Sequence, residues 1–234
     1  MGVAFERWEP VYEAILAEFG YDREADERAR DRLAELTVPF ESDRLDVPAG
    51  MTVAVAGAGP SLDEPASIEC AAAADRVFAA STAADVLEDH GVTVDLLVTD
   101  LDKNPETVSR LTDRGTPVAV HAHGDNVDAI ERLVPDCASG LVLPTTQAAP
   151  CDHVSNPGGF TDGDRAGFLA DHVGADELDF VGWDLDDPTV DDEKAAKLVW
   201  AERLLYWLER RRGERFSVLD GRRETIDTRH LPIE

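Results

Sequence analysis

From Met51 onward, six short apolar runs of strand type alternate with segments able to form helices, and this alternation limits the chain to few architectures. The runs are TVAVA at 52–56, RVFAA at 76–80, VDLLVT at 94–99, PVAVH at 117–121, GLVL at 140–143 and LDFVG at 178–182. Helix-forming stretches lie between them at 83–90, 105–114 and 127–134. Strands separated by helix-length connections pair in parallel, and each crossover lays a helix on a face of the sheet. The expected fold is therefore α/β, a mostly parallel sheet with helices on both faces. Ligands in such sheets gather at the carboxyl ends of the strands, so a polar cluster that follows a strand is a candidate site.

The segment 191–212 is the most periodic helix, with Leu198, Trp200 or Ala201, Leu204, Leu205 and Leu208 along one side and Gly213 to end it. That stripe reads as core packing. FSVLDG, which follows, reads as a last strand. Residues 1–48 differ: Val11, Ile15, Leu16 and Phe19 fall at helical spacing, Gly20 is placed to stop that helix, and 22–36 reads as a second, charge-rich helix. The expected division is a helical N-terminal appendage at 1–48 and an α/β catalytic domain at 49–234.

Charge narrows the partners. The chain has 49 acidic against 22 basic residues, a formal net charge of -27. So acidic a surface repels nucleic-acid backbones and anionic membranes, and a phosphate-bearing ligand needs locally gathered cations or metal ions. Lysine occurs only at Lys103, Lys194 and Lys197. Abundant Asp and Glu with scarce Lys is the surface expected of a halophilic, archaeal protein, in which many single carboxylates are surface adaptation. Cys70, Cys137 and Cys151 are odd in number and form no CxxC pair, against a disulfide framework or structural zinc. MGVAFERWEP carries charges where a signal peptide needs its apolar run, and no stretch reaches membrane-spanning length, so a cytoplasmic location is expected.

Five clusters could carry chemistry. VDLLVTDLDKN at 94–104 ends an apolar run in Asp100 and Asp102; at i and i+2 of an extended segment their carboxylates share a side and suit a hard cation such as Mg²⁺. GAGPSL brings Gly57, Gly59, Pro60 and Ser61 to a strand-to-helix turn, where amides can approach an anion and Ser61 can cap the helix, or which is simply a tight turn. It lacks the third glycine of a dinucleotide fingerprint and the lysine of a P-loop. In HAHGDN, His121, His123 and Asp125 could be read as a zinc site, but further histidine ligands are not obvious. The preferred reading makes Asp125 an oxygen ligand and has His123 and Asn126 contact substrate. In NPGGFTDGDRA, Gly158, Gly159 and Gly163 suggest a mobile or ligand-hugging loop, Thr161 or Asp162 a helix cap, and Asp162 and Asp164 another i, i+2 pair beside the guanidinium of Arg165. GWDLDD precedes Lys194 and Lys197, two of the three lysines on one helical face, either facing polyphosphate or paired with Asp191 or Glu193.

Taken together and in order, GAGPSL, TDLD, HAHGDN, NPGGFTDGDRA, GWDLDD and the KxxKL helix resemble the archaeal 6-hydroxymethyl-7,8-dihydropterin pyrophosphokinase family, the MptE-like proteins, over nearly the whole chain. Lys103 departs from the glycine expected after TDLD. The resemblance implies the fold of a thiamin pyrophosphokinase catalytic domain and Mg²⁺-dependent transfer of diphosphate from ATP to a pterin hydroxymethyl group, with release of AMP, in folate or methanopterin biosynthesis. On that reading Asp100, Asp102 and Asp125 hold Mg²⁺, and Asp162 and Asp164 complete the metal site or orient the attacking hydroxyl. Lys194, Lys197 and Arg165 take phosphate charge. Asn104, His123 and Asn126 contact substrate, and the GAGPSL turn holds the nucleotide or the pterin. A homodimer is compatible with it. Alternatives are thiamin pyrophosphokinase itself, a haloacid-dehalogenase-type phosphohydrolase, disfavoured by Asn104-Pro105 after DxD and by the motif's place on a third strand, and a non-catalytic nucleotide-binding regulator.

Overall fold

The computed structural model describes residues 2–45 and 47–233. Six strands, β1 (Thr52–Ala56), β2 (Arg76–Ala80), β3 (Leu96–Thr99), β4 (Val118–Ala122), β5 (Val142–Thr146) and β6 (Glu177–Val181), form one sheet in the order β5-β4-β3-β2-β1-β6. Every pairing is parallel. The helices are α1 (Phe5–Phe19), α2 (Arg23–Leu36), α3 (Pro65–Ala73), α4 (Ala83–Asp89), α5 (Pro105–Asp113), α6 (Val127–Leu133), α7 (Asp162–Val173) and α8 (Asp192–Arg212).

Side-chain alternation along the strands builds two cores. Val53, Val55, Phe78, Leu96 and Val98 face α1, α7 and α8. Ala54, Ala56, Val77, Ala79, Leu97 and Val120 face α2 to α6. The chain therefore steps from β1 to β5 in one direction, then returns through α7 to place β6 on the other side of β1. Between β1 and β6 the winding reverses, which opens a crevice at the carboxyl edge.

Three boundaries differ from expectation for physical reasons. FSVLDG is not a strand: Ser217–Leu219 is a 3₁₀ turn that buries Phe216 against Phe180, with ring centroids 4.6 Å apart. The outward N–H of Leu178 on the edge strand β6 is already taken by the Glu214 carboxylate at 2.9 Å, so no further strand pairs there. β5 runs on through Pro144, which an edge strand tolerates because no neighbour asks for its missing N–H. β3 begins at Leu96 because Asp95 turns its carboxylate onto the Val77 N–H at 2.8 Å.

The N-terminal helices pack into both cores. Trp8 stacks on Trp207 at 6.3 Å and 4°, and its Nε1 donates to the Gln147 carbonyl at 2.9 Å. Trp8, Val11, Tyr12 and Ile15 belong to one core, and Ala29 and Leu33 of α2 to the other. α1 and α2 thus clasp opposite faces of the sheet. Their elbow, stopped at Gly20 with φ 69° and capped by Asp22, crosses the carboxyl edge. Among the described residues no helix is long and apolar enough to cross a membrane.

Candidate active site

All six strands deliver residues to one cavity of about 930 Å³ at the carboxyl edge. Gly57 and Gly59 follow β1, Ser81 and Thr82 follow β2, Asp100 and Asp102 follow β3, and His123 and Asp125 follow β4; Gln147 follows β5 and Trp183 and Asp184 follow β6. The start of α7, the start of α8 and the α1–α2 elbow complete the wall.

The two carboxylates at the end of β3 meet through a turn, not along an extended pleat. The strand stops at Thr99, Leu101 is left-handed with φ 69°, and the Asp102 N–H donates to Asp100 Oδ1 at 3.2 Å. Thr99 Oγ1 accepts the Leu101 N–H at 3.0 Å, and Asn126 Nδ2 ties the Asp100 carbonyl at 2.8 Å to the His121 carbonyl at 2.7 Å. Positive φ falls at Leu101 and Asn104 and not at Lys103, so this turn makes no conformational demand for glycine there.

Burial disfavours charge on these groups, and their neighbours separate them. For Asp100 burial is outweighed by His123, whose Nε2 lies 3.6 Å from Oδ2, and by Asp102, so its carboxyl ionises well below the usual range. Asp102 is raised to about 6 by burial and by Asp100. Asp162, at the start of α7, is raised to about 8 by burial and then by the charge of Asp100, although Arg165 Nη1 lies 2.9 Å from its Oδ1. Asp100, Asp102 and Asp162 offer only oxygen donors, the class a hard divalent cation takes, and the charge of Asp100 raises the other two. Among the described residues no group of three or more Asp, Glu, His or Cys side chains is placed to hold a metal ion by itself.

Asp162 and Asp164 separate. Helical residues two apart point about 200° apart, so only one can face the cavity. Asp162 does; Asp164 is fully buried as half of a capping box, accepting from the Thr161 N–H at 3.0 Å and Thr161 Oγ1 at 2.6 Å. Gly158 and Gly159, left-handed and buried, pack on Phe168 and Arg165 of α7. Arg165 lines the cavity but is only 3% exposed, with Nη2 donating to the Phe160 carbonyl at 2.6 Å and Nε without a partner among the described residues.

The GAGPSL turn faces β6 more than it faces a ligand. Gly57 N–H donates to the Val181 carbonyl at 2.9 Å, Gly59 N–H to the Gly182 carbonyl at 3.0 Å, and both the N–H and the hydroxyl of Ser61 to Asp184 Oδ2 at 2.9 and 2.8 Å. A Cβ at Gly57 would lie 2.6 Å from the Gly182 carbonyl oxygen, so glycine is required by the close approach of two backbones. Ser61 caps no helix; it sits in the 3₁₀ turn Pro60–Asp63, and α3 starts at Pro65. Gly57 and Gly59 line the cavity, and Pro60 and Ser61 lie outside it.

Other expected residues divide the same way. His123, Asp125, Lys194 and Lys197 line the wall, Lys197 with its Nζ 2.7 Å from Glu193. Asn104 turns away to Asp85 at 2.6 Å, and Asn126 is buried as the clamp described above; neither lines the cavity. His121 is fully buried, and burial followed by the charge of Arg165 keeps it neutral, 3.2 Å from Thr145 Oγ1. Sequence reasoning missed Asp26, Gln147 and Tyr21, and it reached Phe160, Trp183 and Asp184 only as members of NPGGFTDGDRA and GWDLDD. Asp26 looked like one more surface acid, yet it is 3% exposed and accepts from Tyr12 Oη, Gln147 Nε2 and the Gly124 N–H. Its spacing to Ala29 and Leu33, i, i+3 and i+7, was the available signal that it lies on the buried face.

Residues 27–189 match the family described as 6-hydroxymethylpterin diphosphokinase MptE-like. A protein of Pyrococcus furiosus named 6-hydroxymethyl-7,8-dihydropterin pyrophosphokinase is 37% identical over 223 residues, covering 88% of this chain and 94% of that protein. Proteins of the same name from Methanothermobacter thermautotrophicus and Methanocaldococcus jannaschii are 36% and 29% identical over 230 residues, each covering 87% of this chain and 94% and 95% of those proteins.

Proposed function

The chain belongs to the 6-hydroxymethylpterin diphosphokinase MptE-like family, and on that premise we propose that it transfers diphosphate from ATP to the hydroxymethyl group of 6-hydroxymethyl-7,8-dihydropterin and releases AMP. The observation that carries this reading is the convergence of Asp100, Asp102 and Asp162 in one cavity that Lys194 and Lys197 also line. Acidic and basic groups around a common space are what a polyphosphate with its cation needs.

The pterin hydroxyl oxygen forms a bond to the β-phosphorus and releases its proton to water, the bond from that phosphorus to the α,β-bridging oxygen breaks, and AMP leaves with that oxygen. Positioning and charge neutralisation supply most of the catalysis in such transfers. Asp100 and Asp102, with Asp125 from the next loop, would hold Mg²⁺, which when bound neutralises phosphate oxygens. Asp162 accepts the hydrogen bond of the attacking hydroxyl and fixes its direction. Arg165 holds Asp162 from behind, and its buried guanidinium keeps positive charge beneath the reacting centre. Lys194, exposed at the mouth, meets the outer phosphates, and Lys197 follows by exchanging Glu193 for phosphate.

Chromatography of nucleotides from a reaction with ATP, Mg²⁺ and the pterin tests the reading. Wild-type protein is expected to form AMP one for one with pterin diphosphate, and Asp100→Asn to lose at least 100-fold in rate, in the range of about 10²–10³ for removing a group that stabilises transition-state charge. ADP or inorganic phosphate as the sole product overturns it.

A further inference from the structure

The first turn of α2 holds the loop that follows β4, and it does so at two neighbouring residues. That loop is a turn over 123–126, closed by the Asn126 N–H on the His123 carbonyl at 3.2 Å, with Gly124 and Asp125 at its apex. Its base is fixed to the sheet, because Asn126 Nδ2 bonds the Asp100 and His121 carbonyls and Asn126 Oδ1 accepts the His123 N–H at 3.1 Å. Its apex is fixed from α2. The Gly124 N–H donates to Asp26 Oδ1 at 2.8 Å, and the backbone there lies so near the helix that a Cβ on Gly124 would stand 2.7 Å from the Cβ of Ala25. Carbon atoms in ordinary contact are about 1 Å further apart, so this approach requires glycine.

Asp26 is suited to the task by its acceptor geometry. It is buried, and its Oδ2 takes Tyr12 Oη at 2.7 Å and Gln147 Nε2 at 2.8 Å while Oδ1 takes Gly124. Burial and then the hydrogen bond to Asp26 push the Tyr12 phenol up, so Tyr12 keeps its proton and is the donor. Three donors thus converge on two oxygens. A carboxylate meets that demand with both atoms, whereas an asparagine has one oxygen and would turn its amide nitrogen toward a donor. Asp26 therefore ties α1, α2, the loop after β4 and the segment after β5 into one unit.

The loop so held carries two residues of the cavity. His123 Nε2 lies 3.6 Å from Asp100 Oδ2, and Asp125 lines the cavity as the carboxylate that joins Asp100 and Asp102 in the Mg²⁺ reading. We propose that Ala25 and Asp26 are positioning residues of the active site, which set the distance of the 123–125 loop from Asp100 and Asp102 and so the grip of Asp125 on the metal–nucleotide complex. This rests on the proposed diphosphate transfer and adds what places one of its metal carboxylates.

Binding of Mn²⁺, a hard-ion stand-in for Mg²⁺, in the presence of α,β-methylene-ATP tests this through the EPR signal of free Mn²⁺, beside steady-state kinetics and urea unfolding. Gly124→Ala is expected to raise the Mn²⁺ Kd about tenfold and to lower kcat, the range for losing a group that orients a metal ligand. Gly124→Ala combined with Ala25→Gly, which removes the atom in the way, is expected to return Kd to within about threefold of wild type. Asp26→Asn is expected to raise Kd by a factor similar to that of Gly124→Ala. Tyr12→Phe, which takes a different donor from Asp26, is expected to lower the urea midpoint and to leave Kd within about twofold. Should Asp26→Asn not fold, the Gly124→Ala and Ala25→Gly pair carries the comparison. Wild-type Kd in Gly124→Ala, no recovery in the double variant, or an equal rise of Kd in Tyr12→Phe overturns the assignment. A wild type that binds Mn²⁺ with the nucleotide yet forms no AMP overturns the transfer reaction instead, while the Kd comparison still decides the positioning.

Discussion

Asp162 and Asp164 are two residues apart at the start of α7, the first open to the cavity and the second fully buried, and they are opposite in consequence. Asp162 faces Asp100 and Asp102; Asp164 closes the cap of α7. Asp162→Asn is therefore expected to lower kcat by about 10²-fold or more with little change in thermal midpoint. Asp164→Ala is expected to cost about 2 kcal/mol of stability, the upper range for a helix cap, through the orphaned N–H groups of Phe160 and Thr161. Equal loss of stability in both, measured by urea unfolding, would contradict this division. Composition concealed these roles: among 49 acidic residues a buried carboxylate looks like a solvated one until the helix fixes which way it points. The pair after β3 was legible as a pair, but its geometry was not, because nothing in TDLD announces that a leucine adopts φ 69°.

At the scale of elements, the strands and helices were legible because hydrophobic period decides them, and the misses fell where tertiary partners decide. FSVLDG has strand composition but meets an edge already satisfied by Glu214, and Ser61 has cap chemistry but is drawn to Asp184 instead. The segment after α8 is held by Glu209, whose carboxylate takes Arg223 at 2.6 Å and the Phe216 N–H at 2.7 Å. Burial opposes ionisation of Glu209, but Arg223 and that N–H outweigh it and hold its pKa below the ordinary value. A depressed carboxylate contributes stability that is present above its unfolded pKa and lost as pH falls through the folded one. Glu209→Gln is thus expected to destabilise at neutral pH and to flatten the decline in stability below about pH 4.5. An unchanged acid slope in denaturant titrations at pH 3–6 would count against it. The N-terminal helices belong to the same argument: with Trp8, Tyr12 and Asp26 in the cores and cavity wall, a chain lacking α1 and α2 is expected to lose cooperative unfolding, which calorimetry would register.

Over the whole molecule, a net charge of -27 sets repulsion against a surface of arginine–carboxylate pairs. Salt screens both, but isolated exposed pairs contribute about 0–1 kcal/mol each while the net repulsion acts across the entire surface. The thermal midpoint is accordingly expected to rise between 0.1 M and molar KCl, and a fall would remove the salt-adaptation reading of this composition. The same charge makes the cavity distinctive, since it gathers Lys194, Lys197 and Arg165 in one space with Asp100, Asp102 and Asp162. The doubly covered sheet and its carboxyl-edge site followed from the order of the segments. The place of β6 did not, because strand order, with β6 returning beside β1, is set by packing and leaves no local signal. The transfer itself is tested most directly by ³¹P NMR of the pterin product formed from ATP. Two coupled resonances of a diphosphate ester, appearing with AMP, are the predicted result. A single phosphomonoester resonance appearing with ADP would contradict the account.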